Sequence, residues 1–151
     1  MLPTPGRFCL VSGSAEGGTR LNAFDNALLA AGIGNLNLLK VSSILPPGAR
    51  QVERPDIPPG SLVPTAYACI TSEVPGEEIA AAVAVGLSEG GYGVIMEFSG
   101  KTTQEAAEAA VRHMVEEAFR VRGLALQRVL VKSTRHVVEK SGCAFAAVAL
   151  W

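Results

Sequence analysis

The chain has 151 residues, 48% of them apolar and 18% charged, with 13 basic and 14 acidic side chains giving a net charge of −1. That apolar share excludes a largely disordered chain, and the balanced charge excludes the basic footprint of a nucleic-acid binder. The longest nearly apolar runs, 79–87 and 143–151, are about half the ~20 residues that a membrane-spanning helix needs, and Pro3 and Pro5 stand where the apolar stretch of a signal peptide would begin. A soluble, cytoplasmic, single-domain globule is expected, with neither nucleic acid nor membrane as partner.

The charged fraction lies below the roughly 25% of an average soluble domain, and the mean hydropathy is +0.30. A small monomer of this composition would expose much apolar surface, so a homo-oligomer is expected. Cys9, Cys69 and Cys143 are odd in number and sit in apolar, strand-like surroundings. They read as small buried hydrophobes in a reducing compartment rather than as a disulfide framework.

In chain order, Arg7 to Ser12 predicts a short strand, and the glycine-rich stretch 13–18 a tight turn. Leu21, Phe24, Leu28 and Ala31 repeat at helical spacing before the stop at Gly32. Residues 35–41 alternate as a strand that runs into Ser42-Ser43. Pro46 to Gly60, with five prolines, predicts an excursion over the surface. Period-two alternation over 61–72 predicts a strand; the alanines of Ile79 to Val85 fit either period, and beside Tyr92 to Phe98 a hairpin of two strands is favoured. A helix is expected over 102–122. Thr102 and Glu105 form its capping box, Ala107, Ala110, Met114 and Ala118 its apolar stripe, Glu108, Arg112, Glu116 and Arg120 a solvated charge ladder, and Gly123 its stop. Two final strands are expected near 127–139 and 143–150. Two helices among about seven strands make an α+β chain with helices packed on sheet faces.

General catalytic motifs are absent. The glycine stretch 13–18 lacks both the Gly-Lys-Ser/Thr ending of a phosphate loop and the spacing of a dinucleotide fingerprint. There is no Gly-x-Ser-x-Gly elbow. His113 and His136 stand far apart with no metal-ligand spacing beside them, so no metal site is expected.

The segment Gly32-Ile-Gly-Asn-Leu-Asn37 leads through a strand into Ser42-Ser43-Ile-Leu-Pro-Pro47. By itself a Ser-Ser pair is an ordinary polar strand terminus. Together with Leu21-Asn-Ala-Phe-Asp25, Pro64-Thr-Ala-Tyr67, Ser72-x-Val-Pro-Gly-Glu77, Met96-Glu97-x-x-Gly-Lys101, Gly142-Cys-Ala-Phe-Ala-Ala147 and Ala149-Leu-Trp151, it resembles the pyruvoyl-dependent arginine decarboxylase family. The blocks are collinear from about Leu10 to Trp151.

The resemblance implies a four-layer αββα sandwich and a trimer, or a hexamer of two trimers, with active sites between neighbouring subunits. It also implies self-cleavage between Ser42 and Ser43 into a β chain, 1–42, and an α chain, 43–151. The Ser43 hydroxyl would attack the Ser42 carbonyl, and elimination and loss of ammonia would leave a pyruvoyl group at position 43. A strained peptide ahead of Pro46 and Pro47 would favour the attack. The expected reaction is decarboxylation of L-arginine to agmatine and carbon dioxide through a Schiff base with that covalent cofactor. Glu97 matches the proton donor, and a glutamate in an apolar strand has the raised pKa that this role needs. Asp25 matches the residue that pairs with the guanidinium, which a carboxylate receives through two parallel hydrogen bonds. Asn37 matches an asparagine whose amide would donate to the Ser42 carbonyl. Taken alone, Glu97 also fits a strand-end carboxylate, Asp25 a helix-surface acid and Asn37 a strand-end cap. The same scaffold acting on another amino acid, or serving uncut as a structural or regulatory subunit, is the alternative. The product fits polyamine synthesis or acid resistance.

Overall fold

In the computed structural model, which describes residues 1–151, both apolar runs become inner strands. β9 (Gly142–Leu150) lies third in a five-stranded sheet A, flanked by β5 (Leu62–Ser72) and β1 (Arg7–Glu16), with β2 (Asn37–Lys40) and β4 (Arg50–Gln51) at the edges. β6 (Glu78–Leu87) lies inside a four-stranded sheet B between β7 (Gly93–Gly100) and β8 (Arg128–Val137), with β3 (Ile44–Leu45) beyond β7. Every residue of β9 is buried, and all of β6 except its two ends. A strand covered on both faces has no polar face to show, which is why these runs lack alternation.

The helices α1 (Arg20–Ala30) and α2 (Gln104–Arg122) cover the outer faces. One cluster, with Phe8, Val83, Ile95, Ala146 and Val148, fills the space between the sheets. A second joins Ala23, Ala27 and Leu28 of α1 to Val11, Phe145 and Ala147 of sheet A, and a third joins Val111, Val115 and Phe119 of α2 to Ala82, Ala84 and Val94 of sheet B. The order of layers is therefore α1, sheet A, sheet B, α2, an α+β arrangement with two helices and two sheets.

Several local expectations give way to tertiary contacts. β1 runs on to Glu16 instead of turning at Gly13. A Cβ at Gly13 would lie 2.5 Å from the Ala27 carbonyl oxygen and 2.6 Å from the Ala31 nitrogen, so this glycine lets α1 lie against the strand. So close a helix buries the small Ala23 and Ala27 with Leu28, and leaves Leu21 exposed and Phe24 half-buried. In α2 the cap is Thr103, one residue later than expected, its hydroxyl accepting from the Ala106 N–H at 3.1 Å. The buried stripe is Ala107, Val111, Val115, Ala118 and Phe119, the bulky side chains filling the groove while Ala110 and Met114 flank it half-buried. Glu108 leaves the solvated ladder to accept a hydrogen bond from the Ser133 hydroxyl. Gly123 stops the helix in the left-handed conformation, as expected. The proline-rich excursion holds β4, which pairs in parallel with the start of β1. Of the cysteines, Cys9 and Cys143 are buried and Cys69 is exposed. Burial pushes the Cys9 thiol up to about 11.

Candidate active site

Ser42 and Ser43 lie where the chain crosses from one sheet to the other. β2 ends at Lys40 on the edge of sheet A, and β3 begins at Ile44 on the edge of sheet B. On the first side the Val41 N–H still donates to the Thr65 carbonyl of β5 at 3.1 Å. On the second, the Ser43 carbonyl accepts from the Ile95 N–H of β7 at 2.6 Å. The Ser42–Ser43 peptide is thus held between anchors on two different sheets. Pro5, Pro46, Pro64 and Leu150 wall a cleft of about 240 Å³ around the two serines. Ser42 is exposed and Ser43 half-buried. No residue other than glycine has a positive φ, so the segment is fixed by its anchors rather than by strain of that kind.

Glu97 stands two residues beyond Ile95 on β7. Val94 belongs to the cluster under α2, with Met96 and Phe98 packed against it, whereas Ile95 belongs to the cluster between the sheets. Alternation along the strand therefore turns Glu97 toward the space between the sheets. Ser99, next on that face, donates its hydroxyl to the Cys69 carbonyl of β5 at 3.0 Å. Glu97 Oε2 is buried without a hydrogen-bond partner. Burial pushes the Glu97 carboxyl above its ordinary value, and the charge of Lys40 pulls it partly back. A raised pKa is the direction that a general acid working near neutrality needs.

Within one chain the other two candidates lie apart from this pair. Asp25 is on the exposed side of α1, across sheet A from the layer into which Glu97 points. Asn37 is at the far end of β2, about 16 Å from Ser42 at the usual rise per residue, and its amide Nδ2 donates to the Gly60 carbonyl at 3.0 Å. Leu29, one turn on from Asp25, covers Gly34 so closely that a Cβ there would lie 2.5 Å from Leu29 Cδ2. That contact ties the exposed side of α1 to the segment leading into Asn37.

Residues 7–151 match the family described as pyruvoyl-dependent arginine decarboxylase. A protein of that name from Methanocaldococcus jannaschii is 52% identical over 149 residues, covering 97% of this chain and 90% of the relative. One from Pyrococcus abyssi is 48% identical over 152 residues, covering 98% and 96%, and one from Methanococcus aeolicus is 47% identical over 149 residues, covering 97% and 90%. The chain belongs to the pyruvoyl-dependent arginine decarboxylase family.

As a member of that family it is a decarboxylase whose prosthetic group is pyruvoyl. The position that would become this group, Ser43, opens onto the cleft and has its carbonyl tied back to β7, so a small planar ketoacyl group fits where the serine stands. No helix is long and apolar enough to cross a membrane. Sequence reasoning passed over Lys40, whose only signal was a cation in an otherwise apolar alternation, and Tyr67, whose ring lies 4.6 Å from the Lys40 ammonium. It weighed His136 only as a metal ligand and missed its pairing with Glu16, whose Oε2 meets His136 Nε2 at 2.5 Å. No local spacing connects residues 120 apart.

Proposed function

We propose that the chain cleaves itself between Ser42 and Ser43 and converts L-arginine to agmatine and carbon dioxide. The observation that carries this reading is the Ser42–Ser43 crossover, held between two sheets and bonded to β7 two residues before Glu97, whose Oε2 is buried without a partner. The Ser43 hydroxyl attacks the Ser42 carbonyl carbon, the C–N bond breaks, and the nitrogen leaves as an amine on an ester-linked Ser43. Loss of the Ser43 Cα proton expels Ser42 as a carboxylate, and water then replaces the nitrogen, which departs as ammonia. The products are a chain of residues 1–42 and a chain of residues 43–151 that stay together without a covalent link, since β1, β2 and α1 of the first complete sheet A and its helix layer.

The pyruvoyl group, once made, supplies a carbonyl that forms a Schiff base with the substrate α-amino group and takes up the electron pair released with carbon dioxide. Glu97 gives its proton to the carbon left behind. The separation of Asp25 and Asn37 from Ser43 within one chain supports a site shared between copies of a trimer. One copy supplies Ser43 and Glu97, and its neighbour supplies Asp25 to the guanidinium and Asn37 to the Ser42 carbonyl. The reaction then runs in the cytoplasm on a free amino acid.

The test is the mass of the denatured protein. Two chains divided after Ser42, the larger lighter by one ammonia than its sequence, are expected, with arginine turned over in preference to lysine and ornithine. An uncut wild-type chain that decarboxylates arginine, or an active Ser43→Ala protein, refutes the reading. Site sharing has its own test. Assayed at arginine far below the KM of the Asp25→Asn protein, that variant and the inactive Ser43→Ala protein should together reach about one quarter of wild-type activity when coexpressed in equal amounts, because that fraction of neighbouring pairs combines the two intact halves. No recovery in mixed oligomers places all the residues in one chain.

A further inference from the structure

We propose that the backbone N–H of Ile95 is a catalytic donor in self-cleavage: it holds the Ser43 carbonyl oxygen while that oxygen carries the negative charge of the elimination step. The inference rests on the self-cleavage reading and assigns a group to its second step. There the ester-linked Ser43 loses its Cα proton to water, and the electron pair of the C–H bond spreads onto the adjacent Ser43 carbonyl oxygen. Return of that pair makes the Cα–Cβ double bond and breaks the Cβ–O bond, so Ser42 leaves as a carboxylate and no oxidant or reductant is needed. A proton next to an amide carbonyl is a very weak acid. A donor aimed at the oxygen where charge develops is what the step requires.

Two features of the hydrogen bonding point to this step. The Ser43 carbonyl accepts from the Ile95 N–H at 2.6 Å, whereas the Ser42 carbonyl, attacked in the first step, accepts no backbone hydrogen bond. The fixed donor therefore serves the second step and not the first. In addition, two residues paired by antiparallel ladder bonds normally exchange two of them, one in each direction. Here the Ser43 N–H makes none, so only half of the exchange between Ser43 and Ile95 is present. The absent half is the one that maturation would have to break, because the Ser43 nitrogen leaves the peptide as an amine and then the chain as ammonia.

Packing fixes the donor and the acceptor. Ile95 is fully buried, and Leu45, two residues after Ser43, is 3% exposed in the same cluster between the sheets. β3 lies on β7 in the register Ile44–Val94 and Leu45–Gly93. Gly93 comes so close to Leu45 that a Cβ there would stand 3.3 Å from Leu45 Cβ. All of these residues belong to 43–151, so breaking the bond between Ser42 and Ser43 leaves their contacts intact. Nearby donors are otherwise engaged. The Val41 N–H goes to the Thr65 carbonyl, and Asn37 Nδ2 to the Gly60 carbonyl. A donor already in place costs no reorganisation when charge appears on its partner.

The experiment replaces Ile95 by its α-hydroxy acid counterpart, which puts an ester oxygen where the N–H stood and keeps the side chain. The same exchange at Gly93 is the control, since alternate N–H groups point to the same side of a strand and Gly93 faces Leu45 instead. Hydroxylamine opens the maturation ester and the introduced ester alike, and masses are then read. In the Ile95 ester protein, elimination should slow on the order of a hundredfold. The piece 43–94 should therefore carry a free N-terminal serine and be one ammonia heavier than its pyruvoyl form. The Gly93 ester protein should give its pyruvoyl piece at close to the wild-type rate. Equal behaviour of the two proteins, or full conversion to pyruvoyl in the Ile95 ester protein, overturns the inference. So does a piece 1–94, which would put the bond in the first step. A wild-type chain that stays uncut overturns instead the self-cleavage reading. Should the Ile95 ester protein fail to fold, Leu45→Val, Leu45→Ala and Leu45→Gly loosen β3 by steps and keep every backbone amide. The serine-ended fraction should rise as the Ile95 N–H loses protection from hydrogen exchange, measured in uncut Ser43→Ala chains. A serine-ended fraction that does not follow that protection overturns the inference.

Discussion

Replacing Glu16 by glutamine removes one charge from the point where the chain returns from sheet B to sheet A, and its cost follows from the contacts there. β8 belongs to sheet B and β9 to sheet A, so residues 138–141 must cross between layers. The Glu16 carboxylate, at the end of β1, accepts from the N–H groups of Lys140 at 2.8 Å, Ser141 at 3.1 Å and Glu139 at 3.2 Å, and meets His136 Nε2 at 2.5 Å. Gly142 makes room for it, since a Cβ there would lie 2.6 Å from Glu16 Oε2. Burial pushes the Glu16 carboxyl up, but His136 and the three backbone donors together outweigh it and bring it from 4.5 down to about 2. In full, such a difference between folded and unfolded states is worth roughly 3.4 kcal/mol. The side chain is a quarter exposed, and solvent screening reduces the figure to about 1–2 kcal/mol. The folded pKa is depressed, so this stability is fully present above 4.5 and is lost as pH falls toward 2. Glu16→Gln should therefore melt roughly 3–6 °C below wild type at pH 7, with the gap shrinking below pH 4.5 and nearly closing at pH 2. Thermal denaturation followed by circular dichroism across that range measures it. A gap of the same size at pH 7 and pH 2 would refute the electrostatic account and leave only lost hydrogen bonds.

Glu97→Gln should cut itself as wild type does yet decarboxylate at least a hundredfold more slowly, which mass and carbon dioxide release measure separately. Asp25→Asn should raise KM for arginine by on the order of a hundredfold while leaving the cut fraction unchanged, because a neutral amide cannot pair with a guanidinium as a carboxylate does. Gly86→Ala should destabilise the fold by about 1–3 kcal/mol, because the new Cβ would lie 2.5 Å from both Phe119 Cε1 and Val115 Cγ1 and force α2 off sheet B; chemical denaturation reads this directly.

How far each element was legible depended on where its information lay. The hairpin of β6 and β7 and the pair β8 and β9 could be read as strands from short apolar runs bounded by turn residues, even without alternation. Their destinations could not. β8 and β9 are neighbours in sequence but pair with β6 in sheet B and with β1 and β5 in sheet A. Gly13 was misread as a turn because glycine density is a local signal, whereas its purpose is to admit α1, which packs across the strand through Ala27 and Ala31. In α2, alanines at 107, 110 and 118 fit more than one face, and only the facing groove selects Val111, Val115 and Phe119. The candidate site residues were named through the collinear blocks that carry them, and Glu97 also through its apolar strand. That Ser43 bonds to β7 two residues before Glu97 while Asp25 and Asn37 lie elsewhere depends on pairing and layer order, which no block contains.

The composition and the geometry bear on one surface. β2 and β3 are both edge strands, so this crossover puts Ser42 and Ser43 at an edge, where solvent reaches Ser42. Decarboxylation gains from excluding that water. The apolar side chains that remain exposed include Leu2, Leu39 and Leu62, at 81%, 42% and 68% exposure. These three wall a second hollow that shares Pro5, Pro64 and Leu150 with the cleft around the serines. The excess apolar surface implied by a low charge fraction is thus gathered, in part, beside the site that needs a cover. A neighbouring copy seated there would bury those leucines and close the mouth, and if it also brought Asp25 and Asn37, one act of assembly would complete both the surface and the site.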